Sequence, residues 1–123
     1  MAIRFLSKGR TGLAGGALGA AFFLTSWIGC AHPPPPREGL SHPGQLIYFG
    51  YANPQVRPCY RCHAVDMRGR WFGGPSLIGL KESDRGGILQ KIRQGAGFMP
   101  AYGDTLSPQE IERLADWLIG LGP

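Results

Sequence analysis

Three stretches of the chain carry a helical rhythm of apolar positions. After Ser107, the residues Ile111, Leu114, Ala115, Leu118 and Leu121 recur every three or four positions as one stripe, with Trp117 at its flank. The "SPQE" before them puts Ser at the N-cap, Pro at N1 and Glu at N3, the arrangement of a capping box. A second helix is predicted after Ser83, carrying Ile88, Leu89 and Ile92, with Gly95 as its stop. A third is predicted over Pro43–Ala52, with Ser41 as candidate N-cap. No run alternates apolar and polar residues long enough to argue for a sheet, so the expected class is all-α. Between the helices lie two Gly/Pro-rich loops, "MRGRWFGGPSLIG" and "GAGFMPAYGD". Irregular loops of that length in so small a domain usually wrap something.

The first 31 residues follow a different pattern. A basic "MAIRFLSKGR" precedes an uncharged run, the order of a secretory signal. The apolar stretch from Leu13 to Ala31 is about as long as the ~18–20 residues a bilayer span requires. Cations on its N-terminal side would keep that end in the cytoplasm and place the rest on the periplasmic side of the membrane. "SWIGC" is similar to a bacterial lipobox, with Gly29 and Cys30 in place and Trp27 where Leu is usual. Three readings stay open: lipidation of Cys30, an uncleaved helical anchor, or cleavage to a soluble protein. Residues 32–43 are expected to form a Pro-rich linker, either an extended polyproline rod or a plain disordered tether. The folded domain is then expected over residues 44–123.

Composition sharpens this picture in two ways. A chain of 123 residues with 20 Gly and 11 Pro buries a modest core, which a bulky cofactor would help to complete. The formal charge of +5 is partly a property of the N-terminus, where Arg4, Lys8 and Arg10 stand with no acid among them. With no long basic run and no recognition motif, nucleic acid is not an expected partner.

The chemistry-bearing segment is "CYRCHA", Cys59 to Ala64. A thioredoxin-like dithiol is expected near a βαβ pattern, which is missing here. A structural zinc site needs four Cys or His ligands, and only Cys59, Cys62 and His63 cluster. A disulfide between Cys59 and Cys62 would close a very tight loop. The fourth reading is haem c attachment, for which C-x-x-C-H is the motif. On a helical turn both sulfurs project to one side, within reach of two vinyl groups on one porphyrin edge. His63 would then present its imidazole to the iron. For the opposite face, Met67 is only four residues from His63 and is read as packing or surface. Met99 lies in a loop far enough along the chain to wrap the haem edge, and His42 is its competitor.

"CYRCH", "GGPSLIGL" and "GFMPAYGDTLSPQEIERLADWLIGL" together resemble a class I monohaem c-type cytochrome over about Gly44 to Leu121. The resemblance implies a small cytochrome c fold, about three to four helices wrapped around one covalently bound haem c. It implies thioethers at Cys59 and Cys62, His63 as proximal ligand and Met99 as distal ligand. The carbonyl of Pro75 would accept a hydrogen bond from His63 Nδ1–H, and Leu77 and Leu80 would pack on the haem. Gly44 and Tyr48 would meet the last helix near Trp117. Pro54 and Pro58 depart from the pattern, because they interrupt the usual continuation of the first helix toward the first cysteine. A lysine-rich docking ring is not evident.

With both axial positions filled, the iron would have no open site for substrate. The expected role is an electron carrier rather than an enzyme. A Met ligand would raise the potential relative to two histidines. Arg70 or the indole N–H of Trp71 are candidate donors to the haem propionates. Arg57, Arg61 and Arg68 would either join them, steer an acidic redox partner, or form a solvated face. Expected partners are a membrane dehydrogenase or quinol-oxidising complex on one side and a terminal oxidase or reductase on the other, with the membrane engaged through the N-terminus. The competing readings are a tethered haem c subunit of a larger membrane oxidoreductase, and a haem sensor or peroxidase.

Overall fold

The capped apolar stripe after Ser107 builds the longest helix of the domain. In the computed structural model, which describes residues 33–123, this is α4, Pro108–Ile119; before it come α1 (Pro43–Tyr48), α2 (Tyr60–His63) and α3 (Arg85–Gln94). Among the described residues there is no β-strand, so the all-α expectation holds. Both halves of the capping box close: Ser107 N–H donates to Glu110 Oε2 at 2.8 Å, and Glu110 N–H donates to Ser107 Oγ at 3.3 Å. Ile111, Leu114, Ala115 and Leu118 are buried along one face, as the stripe requires.

That face meets α1. A Cβ on Gly44 would collide with the carbonyl oxygen of Arg113 and stand 2.7 Å from Trp117 Cβ, so the two backbones touch where glycine has no side chain. One turn later the Tyr48 ring packs 5.2 Å from the Trp117 ring, while Phe49 meets Tyr48 edge-on at 5.1 Å. The domain's core surrounds this crossing: Ile47, Tyr48, Ile111, Leu114 and Leu118 are joined by Ile92 of α3 and by Val56, Tyr102 and Leu106 from the loops.

α1 differs from the sequence expectation at both ends. Its cap is His42, not Ser41, with His42 Nδ1 accepting from Gly44 N–H at 3.1 Å. It stops at Tyr48 rather than Ala52. Gly50 takes φ 80°, a left-handed conformation, and sits against the Pro58 ring, where a Cβ would come within 2.5 Å of Pro58 Cγ. The chain therefore turns at Gly50, and the two prolines, which remove N–H donors and restrict the residues before them, keep residues 51–58 non-helical.

α3 follows a 3₁₀ turn at Glu82–Asp84 and packs on α4. Arg85 links the two helices by pairing with Glu82, Glu112 and Asp116, and its guanidinium is held above its ordinary pKa by hydrogen bonds to Asp116 and Glu82. Arg93 reaches the same Glu112 at 3.4 Å. Exposed ion pairs add little stability, so burial of Ile92 against α4 is the stronger bond between these helices. The segment before α1 is extended at Pro36 (φ −62°, ψ 146°) and then forms a 3₁₀ turn at Arg37–Gly39. Tyr51 Oη–H donates to the Pro35 carbonyl at 2.9 Å and Leu40 packs on the core, so this stretch is tied to the domain.

Candidate functional site

Cys59, Cys62 and His63 share the single turn of α2, with Cys59 at its N-cap. His63 N–H donates to the Cys59 carbonyl at 3.0 Å, which keeps the turn helical and both thiols on one side. No disulfide joins Cys59 and Cys62, and burial pushes the Cys59 thiol up to about 11. Among the described residues, no group of three or more His, Cys, Asp or Glu side chains is placed to hold a metal ion.

His63 is buried at 7% exposure, and its Nδ1 lies 2.8 Å from the Pro75 carbonyl oxygen. A carbonyl only accepts, so Nδ1 carries the proton. In the neutral ring Nε2 then holds the lone pair and is the atom able to bind a metal. Gly74 makes this geometry possible. A Cβ there would lie 2.5 Å from His63 Nδ1 and 2.7 Å from Nε2, so the imidazole rests on a surface only glycine provides. Gly74 N–H also donates to the Cys62 carbonyl at 2.9 Å, and Gly69 N–H to the His63 carbonyl at 3.1 Å. The 69–75 loop thus grips the turn from below.

The residue after His63 is unusual. Ala64 has φ 68° and ψ 163°, a region essentially reserved for glycine and costing other residues about 1–3 kcal/mol. Its carbonyl accepts from Tyr48 Oη–H at 2.6 Å. Desolvation in the core raises the Tyr48 phenol well above its ordinary pKa, so it stays a donor.

Met99 is half-buried in a tight turn closed by reciprocal backbone bonds with Ala96, of 2.9 and 3.1 Å. Gly97 opens that turn with φ 57°, and Phe98 at its tip is exposed. The loop is tied down just beyond it. Tyr102 is buried, its N–H donates to the Ile92 carbonyl at 2.9 Å, and its hydroxyl donates to the Arg57 carbonyl at 3.0 Å. Met99 and the segment leading into Cys59 are therefore held by one tyrosine. Leu77, Leu80, Ile88, Leu89, Met67 and Met99 pack on the core while remaining partly open.

The other candidates from the sequence occupy more open or more distant positions. Trp71 is 92% exposed and stacks edge-on with Phe72, at 6.4 Å. Arg70 and Trp71 share an open depression of about 300 Å³ with Arg68, Gly74 and Pro75. His42 serves as the α1 cap. Cys30 lies outside the described residues. Sequence reasoning did not assign Gly74, Tyr102 or the Tyr48 hydroxyl. The "GGP" run was a signal for the first; the tyrosines gave none, because their partners are backbone carbonyls distant in sequence.

The donor set suits a haem c: two thiols on one side of a turn, an imidazole with Nε2 free, a soft thioether and a half-open apolar wall. Residues 55–118, more than half of the chain, match the family model described as cytochrome c oxidase, cbb3-type, subunit III. The chain belongs to this family of c-type cytochromes. Its family carries a covalently bound haem c and moves electrons. The chain is also 36% identical over 72 residues to the cbb3-type cytochrome c oxidase subunit FixP of Bradyrhizobium diazoefficiens. That match covers 54% of this chain and 25% of the relative, so the chain spans about a quarter of the protein it resembles. No solved structure matches it.

Proposed function

We propose that this cytochrome is a tethered electron carrier of the periplasmic face, using one haem c attached at Cys59 and Cys62 and ligated by His63 and Met99. The observation that carries the reading is the His63–Gly74–Pro75 arrangement, which protonates Nδ1 and leaves Nε2 as the ligand atom. When bound, the haem supplies an iron that alternates between ferrous and ferric. The chain's own residues set its terms. The Pro75 carbonyl fixes the ring and raises imidazole basicity. The neutral Met99 thioether favours the ferrous state. Tyr102 holds the Met99 loop against the segment before Cys59, limiting movement when the iron's charge changes. Held by His63 and Met99 together, the iron would have no open site for substrate, which supports a carrier rather than an enzyme.

The basic-then-apolar residues 1–31 support an N-terminal anchor, by lipid at Cys30 or by a helix; among the described residues, no helix is long and apolar enough to cross a membrane. A membrane dehydrogenase or quinol-oxidising complex would supply electrons, and a terminal oxidase or reductase would take them. The similarity to FixP favours a second reading, a haem c subunit bound within a larger oxidase. Co-purification with other subunits in mild detergent separates the two. The ligand assignment is tested by Met99→Ala: the reduction potential should fall and carbon monoxide should bind the ferrous protein. An unchanged potential with no carbon monoxide binding would remove Met99 from the iron.

A further inference from the structure

We propose that Tyr48 is a positioning residue for the haem-bearing turn, bracketing it at both ends. Its backbone carbonyl accepts from Cys59 N–H at 3.0 Å, and its hydroxyl donates to the Ala64 carbonyl at 2.6 Å. Between these two contacts lie both thiols and the imidazole. One residue of α1 therefore sets where the segment begins and where it ends. Tyr48 is itself fixed, fully buried with its ring against Trp117 of α4 and Phe49. The α1–α4 crossing is in this way connected directly to the position of His63.

The hydroxyl has a specific task. Ala64 keeps a backbone conformation that only glycine adopts freely, and such a conformation persists only where its surroundings over-determine it. The other bond to its carbonyl among the described residues, from Met67 N–H, is long at 3.4 Å. The short bond from Tyr48 is the restraint. It sets the direction in which the chain leaves His63, and so the reach of the imidazole to Pro75. A phenylalanine at 48 would fill the same core space and leave Ala64 free to relax, taking the turn with it. Packing alone therefore does not account for the tyrosine.

The inference rests on Cys59, Cys62 and His63 being the haem attachment residues, but the bracket can be read independently of that. The holoprotein, Tyr48→Phe, Ala64→Gly and the double variant are compared by denaturant unfolding and by redox titration. Tyr48→Phe should lower the folding equilibrium constant about tenfold, as for one buried hydrogen bond, and shift the reduction potential. Ala64→Gly alone should not destabilise, because relief of strain offsets the greater freedom of glycine in the unfolded chain. In the Tyr48→Phe background, Ala64→Gly should add less stability than it adds to wild type, because Ala64 has already relaxed there, while bringing the potential back toward the wild-type value. Additive effects on unfolding, an unchanged potential in Tyr48→Phe, or a clear loss of stability in Ala64→Gly alone would each overturn the proposal. If the haem assignment were wrong, the redox readout would vanish while the coupling in unfolding remained.

Discussion

Replacing Gly74 by Ala should damage the site directly at the His63 ring. The new Cβ would stand 2.5 Å from His63 Nδ1 and 2.7 Å from Nε2, well inside ordinary van der Waals contact. The φ of Gly74 lies outside the left-handed region, so the alanine backbone itself is tolerated, and its smaller unfolded-state entropy adds about 0.4–1 kcal/mol of stability. Against this stands overpacking, about 1–3 kcal/mol. Relief of the clash must move either the imidazole or the 73–75 loop. Both movements stretch the 2.8 Å bond to Pro75, and an orphaned buried donor costs about 1–3 kcal/mol more. The steric and hydrogen-bond penalties outweigh the entropic gain, for a net loss of roughly 1–5 kcal/mol. The potential should also rise. An imidazole without its carbonyl partner gives the iron less electron density, and that loss weakens the ferric state more than the ferrous. The assay is denaturant unfolding of the holoprotein together with a redox titration. A Gly74→Ala variant with wild-type stability and potential would show that the ring does not rest on Gly74.

Three further outcomes follow from the same structure. Gly44→Ala drives a Cβ into the Arg113 carbonyl and Trp117 Cβ, so α1 and α4 must separate; a loss of about 1–3 kcal/mol in the unfolding free energy is expected, and near-neutrality would contradict the close crossing. Ser107→Ala removes the acceptor for Glu110 N–H and should cost about 1 kcal/mol of stability by the same measurement, while leaving the reduction potential unchanged. Burial raises the Tyr102 phenol to about 12, above its unfolded value of about 10, so the folded state holds this proton more tightly. The stability contributed by that proton is fully present below about pH 10 and is lost as pH rises toward 12. The unfolding midpoint measured from pH 9 to 12 should therefore fall less steeply in Tyr102→Phe than in wild type; parallel curves would assign the alkaline loss to other groups.

Local chemistry decided much of this protein before any folding. The stripe from Ile111 to Leu118 and the SPQE cap defined α4, because amphipathic periodicity and capping act within a few residues. Gly95 ended α3, with φ 77°, for an equally local reason. The spacing of Cys59, Cys62 and His63 likewise placed three chemical groups on one turn, whatever surrounds that turn. Tertiary structure decided what holds the turn. The shortness of α1 came from Gly50 packing against Pro58, a contact between two loop residues that no periodicity announces. The cradle at Gly74 exists because a ring from an earlier turn of the chain lies on it, and a glycine in a Gly/Pro loop reads alone as simple flexibility. Tyr48 and Tyr102 look in the sequence like ordinary core aromatics. Their hydroxyls acquired roles only when folding brought the carbonyls of Ala64 and Arg57 to them, since a buried hydroxyl must find a partner and the nearest one is set by the packing of the whole domain.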